Sequence, residues 1–260
     1  MTKKIIFIVL VLSLLFIGGL FFYLYQFYQE ELAYRDLLVE RERAEESIVE
    51  EEIVDEEIEE DVFEEEEIVL DGALLDVPFI VQAPFGNWDN PIFQDACEEA
   101  SLLMAFNWIN GTDIGLDEAY QEIIEIARFE EINYGSFVDR SAADTAVLME
   151  DYFGYSDVSV VYDFGIEDIK KELEAGNLVI APMNGRAVGN PHYTTPGPER
   201  HMIVIIGYDS YDFITNDPGT QYGEGYRYGQ EAFFNAIRDY KTGDHLPILD
   251  NKKAMIIIRK

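Results

Sequence analysis

The stretch HMIVIIGYDSYDFITNDPGT, residues 201–220, decides most of the fold. Met202 to Tyr208 is an apolar run rich in β-branched residues, and "DFITND" is a second short run of the same kind. Between them "DSYD" is turn-like, so the two runs read as adjacent antiparallel strands. A histidine stands at the mouth of the first strand. An aspartate, Asp217, closes the second, 16 positions on. The hairpin would bring His201 and Asp217 side by side, where a carboxylate orients an imidazole and stabilises its protonated form. Taken alone, Asn216–Asp217–Pro218–Gly219 is simply a turn.

Working outward, "VSVVY", "NLVIAPM" and the late "AMIIIRK" also read as strands. So does "LLDVPFIV", which leads into the loop-like "QAPFGNWDNPIF". Helices are predicted from Asp95 to about Asn110, and over "LDEAYQEIIEIARFEE", "SAADTAVLMEDYFG" and "IEDIKKELEAG", the last stopped by Gly176. A short helix fits "QEAFFNAIR". Helices come first and strands mostly later, which is an α+β order rather than repeated βαβ units.

Ahead of this globular part the chain changes character. Lys3 and Lys4 precede Ile5–Tyr25, an uncharged apolar run of bilayer-spanning length with no small-residue cleavage site after it. Residues 1–28 are therefore expected to be a single-pass signal anchor with Lys3 and Lys4 in the cytosol and the remainder outside, at the cell membrane. Residues 29–70 are expected to form an acidic helical or disordered stalk, in which "EEEIV" occurs at Glu50 and again at Glu65. The Ile, Val and Phe scattered through it leave room for a protein partner. Residues 71–260 make the folded domain. The net charge is −34, and residues 1–67 alone carry 20 acidic against 5 basic side chains. Such a surface repels phosphate backbones, which argues against a nucleic-acid partner.

Cys97 is the only cysteine in the 260 residues. Asp95 and Glu98 form a D-x-x-E pattern that resembles a capping box. With Asp95 as the N-cap, Cys97 falls at the second helical position, where unpaired N–H groups and the helix dipole favour a thiolate. A lone cysteine is ordinarily a small buried hydrophobe. Here its place in a first turn, beside acids and after a polar loop, argues against full burial. Glu98 and Glu99 oppose thiolate formation, so an imidazolium is needed nearby. Of the other histidines, His192 and His245 lie in loop-like segments and are expected to be solvated.

"VPFIVQAPFGNW", "QDACEEASLLM", "GNPHYTTPGPERHMIVIIGYD" and "ITNDPGT" follow one another in this order. Together they resemble the papain-fold cysteine peptidases related to the bacteriocin-leader peptidases, the C-thirty-nine-like domains, from about Leu74 to Lys260. The resemblance implies a papain-like α+β fold in which a cysteine-bearing helix packs on a mostly antiparallel sheet. It implies a nucleophile matching Cys97, a general base matching His201, an orienting acid matching Asp217, and an upstream glutamine that helps bind the oxyanion. Gln82 is favoured for that last role because its amide stands on a separate wall from the thiol. Gln94, three residues before Cys97, is the alternative. The expected activity is hydrolysis of a peptide or protein substrate, with no cofactor and no metal, since one cysteine and scattered histidines do not match zinc spacing. Nothing in these 260 residues resembles a transporter, and they contain no G-x-x-x-x-G-K-S/T pattern. Two other readings stand beside this one: a papain-fold amidase or acyltransferase, and an anchored binding or scaffold domain with a vestigial triad.

Overall fold

The computed structural model describes residues 72–243, 248 and 252–260, all within the unit Ile68–Lys260. The expected signal anchor and stalk, and His245, lie outside the described residues. Among those described, no helix is long and apolar enough to cross a membrane.

Seven strands form one sheet: β1 Ala73–Leu74, β2 Val158–Tyr162, β3 Leu178–Met183, β4 His201–Tyr208, β5 Asp212–Asn216, β6 Tyr226–Gly229 and β7 Ala254–Ile258. The main path runs β2-β7-β3-β4-β5-β6, with β1 paired to the far end of β4. Every pairing is antiparallel. The predicted hairpin is present as β4 and β5, with Val204 opposite Asn216 and a register irregularity between Ile205 and Gly207. The α+β class and its antiparallel sheet are as the sequence predicts.

The central strands are apolar without alternation because both faces of the sheet are covered. Leu178, Ile180, Met202, Val204, Ile206, Ala254 and Ile256 pack in one cluster with helices α2 (Cys97–Asn110), α3 (Leu116–Tyr134) and α4 (Ala142–Phe153). Their neighbours Val179, Ala181, Ile203, Ile205, Met255 and Ile257 pack in a second cluster. It contains Ile169 and Leu173 of α5 (Ile166–Glu174) and Phe233 of α7 (Gln230–Ala236). This is the period-two alternation of a strand expressed as two cores.

Two local expectations differ from the structure. The predicted strand over "LLDVPFIV" survives only at Leu74, the second residue of β1. Pro78 has no N–H to give to a ladder, and the segment is instead tied down at single points: Leu75 N–H to Ile206 O, Val77 O to the Asn216 amide, and Gln82 N–H to Pro218 O. Asp95 does not cap the cysteine helix. A four-residue helix, α1 (Pro91–Gln94), capped at its start by the Asn90 side chain, ends at Asp95. Helix α2 then opens after Ala96, which moves Cys97 from the second helical position to the first. A further short helix, α6 (Gly185–Val188), and strand β6 complete the domain.

Helix α2 is central. Eleven of its residues are buried, among them Glu98, Glu99 and Ser101, and Leu102 and Met104 have no exposure at all. It stops at Gly111, whose φ of 63° lies in the left-handed region favoured by glycine.

Candidate active site

The site is built where the first turn of α2 meets the mouths of β4 and β5. Cys97 is 5% exposed, so the thiol is buried rather than open, contrary to the expectation from its polar neighbours. The reason is visible around it. Glu98 and Glu99 turn inward instead of toward solvent, and the whole first turn is enclosed. The thiol donates to Glu98 Oε2 at 2.9 Å. Burial pushes the Cys97 thiol well above its usual range, and the negative charge of Glu98 adds to this. The sequence-level expectation that the flanking acids oppose thiolate formation holds.

Glu98 has a larger part in the site than its sequence pattern assigns. It reads as a capping-box acid that opposes thiolate formation, and it is 1% exposed. Its Oε1 accepts from the Arg140 backbone N–H at 3.0 Å and from the Tyr240 hydroxyl at 2.7 Å. Burial pushes its carboxyl up to about 7, opposed chiefly by the hydrogen bond from Cys97. Tyr240 also reaches the His201 carbonyl at 3.3 Å. One phenol thus links the cysteine helix to the start of β4. Behind this layer Glu99 is pushed well up by burial and by Glu130. Glu130 is paired with the buried Arg140 guanidinium.

His201 and Asp217 come together as the hairpin predicts. His201 Nε2 lies 2.7 Å from Asp217 Oδ1, and both side chains are fully enclosed. The same oxygen accepts from the Gly219 N–H at 3.0 Å. Asp217 Oδ2 accepts from the Tyr193 hydroxyl at 2.5 Å, the Tyr228 hydroxyl at 2.6 Å and the Asn190 amide at 3.0 Å. Burial alone would raise this carboxyl. The His201 charge and the converging donors outweigh burial and hold it below the ordinary carboxylate range. Tyr193, Tyr228 and Asn190 were not singled out from sequence. They come from a loop and from β6, and no spacing relative to Asp217 points to them. Asn216 faces the other way, donating to Val77 O and accepting from Gly225 N–H.

Gln82 is buried, and its backbone bond to Pro218 O sets it beside the turn that follows Asp217. Its amide nitrogen donates to Phe93 O at 3.0 Å and Gln94 O at 3.3 Å, and Oε1 has no hydrogen-bond partner. Gln94 is tied to Trp88 O at 2.8 Å. Cys97, His201, Gln82 and Gln94 all line one cleft of about 980 Å³. His192, exposed as predicted, packs against Tyr222 with the rings tilted and 4.7 Å apart, and both line the same cleft. No carboxylate lines the cleft among the described residues. Nor do these residues contain a group of three or more His, Cys, Asp or Glu that could hold a metal ion.

A cysteine at the start of a buried helix faces a cleft that it shares with a carboxylate-bound histidine, a set of groups suited to nucleophilic thiol chemistry. The chain belongs to the Peptidase_C39 like family, which matches over residues 74–242. Among solved structures it is similar to a crystal structure described as a C39-like peptidase from Bacillus anthracis. The identity is 17% and the TM-score 0.48, over 73% of this chain and 98% of that one. No curated protein matches the chain.

Proposed function

We propose that this is a membrane-anchored, extracytoplasmic cysteine peptidase that hydrolyses peptide bonds through Cys97, His201 and Asp217. The observation that carries the reading is the shared cleft: the thiol and the imidazole line it together, and the imidazole is held from behind by Asp217 at 2.7 Å. Cys97 attacks the scissile carbonyl and forms a thioester. His201 gives a proton to the leaving amine and then takes one from the water that hydrolyses the thioester. Asp217, fixed by three side-chain donors on Oδ2, positions the ring. The Cys97 N–H, in the first turn of α2 where no intrahelical partner exists, is one oxyanion donor. Gln82 is the other. Its bond to Gln94 O, the longer of its two, is the one released to the oxyanion.

The anchored, extracytoplasmic placement is supported by the Ile5–Tyr25 run behind Lys3 and Lys4, and a protein partner by the acidic stalk. Protease added to intact cells should remove the C-terminal domain; protection until lysis would reverse the orientation. The activity itself is tested with the full chain, solubilised and incubated with a peptide library. Cleavage that disappears in Cys97→Ser supports the reading. Cleavage unaffected by that substitution, or none with any peptide, refutes it. Ester or amide products from a second nucleophile in place of hydrolysis would identify an acyltransferase.

A further inference from the structure

The mechanism leaves one question open: where the thiol proton goes. Two facts constrain the answer. Cys97 Sγ hydrogen-bonds to Glu98, and that carboxylate is enclosed, not solvated. A thiolate beside an ionised Glu98 would put two like charges into one buried turn.

We propose that Glu98 is a catalytic residue of this site, the group that takes the proton from Cys97 through Oε2, 2.9 Å from Sγ. The inference rests on the reading of Cys97 as the nucleophile. The transfer keeps the charge of the pair constant. The S–H bond breaks, an O–H bond forms on Oε2, and the new carboxylic acid donates back to the thiolate. The sulfur lone pair then attacks the carbonyl carbon, and the π electrons move to the oxygen. His201, carried as imidazolium against Asp217, gives its proton to the amine as the C–N bond breaks. In deacylation His201 takes a proton from water and the hydroxyl oxygen attacks the thioester. When the C–S bond breaks, the departing thiolate recovers its proton from Glu98.

The surroundings fit a group that shuttles one proton. The titratable and charged residues facing Glu98 are Cys97 and Glu99 on its own helix, Asp139 and Arg140 ahead of α4, and Tyr240 beyond α7. Arg140 offers Glu98 only its backbone N–H, because its guanidinium goes to Glu130. Arg200 is paired with Asp139 at 3.0 Å. Among the described residues no side-chain cation bonds the Glu98 carboxylate, so nothing of that kind locks it ionised. With its carboxyl near 7, the pair loses its first proton close to neutrality, and that proton belongs to both groups.

The test is the alkylation rate of Cys97 by iodoacetamide in the full chain, followed from pH 5 to 10. Cys97 is the only cysteine, so the rate reports on it alone and does not depend on peptide turnover. Loss of the peptidase reading and loss of this proposal are therefore separable. Wild type should show a rising limb near neutral pH. Glu98→Gln removes the charge and the proton acceptor together. If Glu98 accepts the proton, alkylation at pH 8 falls at least about tenfold and the neutral limb disappears. If Glu98 is only a repulsive neighbour, the same substitution makes the thiol more acidic and alkylation speeds up, which overturns the proposal. Tyr240→Phe removes one hydrogen bond that favours ionised Glu98. It should move the limb to higher pH, and an unmoved limb there counts against the proposal even if Glu98→Gln does not fold.

Discussion

Gly219→Ala asks how tightly the imidazole is held. A Cβ at Gly219 would lie 2.8 Å from His201 Cε1, 2.9 Å from its Nε2 and 3.1 Å from Tyr193 Cε1. Ordinary contact begins near 3.4 Å, so the ring must retreat by about 0.5 Å. Its free space is the cleft it lines; behind it Asp217 is fully buried, so a retreat into the cleft carries the ring off its carboxylate. A comparable stretch of the 2.7 Å Nε2–Oδ1 contact takes it to about 3.2 Å, the long end of the usual range and past the length of charge-assisted bonds. A hydrogen bond to a charged group is worth about 1.5–3 kcal/mol, so kcat/KM for a cleaved peptide should fall by roughly 10- to 150-fold. Overpacking should cost roughly 1–3 kcal/mol in unfolding free energy. The assay pairs peptide turnover with urea unfolding. Gly115→Ala serves as the control, since a Cβ there meets nothing within 4 Å. A Gly219→Ala protein with wild-type turnover and stability would show that the ring does not rest against this backbone, and the His201–Asp217 geometry would fall with it.

Asn216→Ala breaks the side-chain bonds to Val77 O and Gly225 N–H and should cost about 1–3 kcal/mol in unfolding free energy, while Asp217→Asn, at matched stability, should lose far more turnover; the reverse ranking in a side-by-side assay would mean that Asn216 orients the ring. Because the Asp217 carboxyl is held below its unfolded value of 3.8, its contribution to stability is complete above about pH 4 and is lost as pH falls through the folded value. Urea midpoints measured from pH 6 to 2 should show this loss, and Asp217→Asn should flatten it. Glu98 has the opposite sign: its carboxyl rises from 4.5 to about 7 on folding. Stability should therefore decline by up to roughly 3 kcal/mol between pH 4.5 and 7 and then level off, with Glu98→Gln removing that slope in the same titration. Arg140→Ala leaves Glu130 buried without its cation and should destabilise by roughly 3–5 kcal/mol, read as a lower urea midpoint.

The parts of this fold that sequence made legible are those set by local pattern. The β4–β5 hairpin is written as two apolar runs around "DSYD", and hairpin geometry alone carries Asp217 back to His201. Helix α2 is legible for its length of helix formers and for Gly111 at its end. What sequence could not give depends on contacts far along the chain. Asp217 receives Tyr193 from 24 positions before it and Tyr228 from 11 after, and neither separation belongs to a repeating element. The burial of Glu98 is not legible, because helix propensity says nothing about which way a first turn faces. Its partner Tyr240 lies 142 positions later. The D-x-x-E pattern misled for a similar reason. Asp95 was already the end of α1, and a box needs its first residue free to open the next helix.

Strand β7 has a consequence for when the domain can act. It lies between β2 and β3 in the sheet, although it follows every other strand in chain order and falls outside the span matched by the family. Without β7, β2 and β3 have no partner on their facing edges, and a gap of one strand lies between them. Cys97, His201 and Asp217 all precede it in the chain. The nucleophile, the base and the acid therefore exist as sequence well before the sheet beneath them closes. Residues 254–258 are what join β2 to β3, so the sheet that carries His201 is complete only once they have been made.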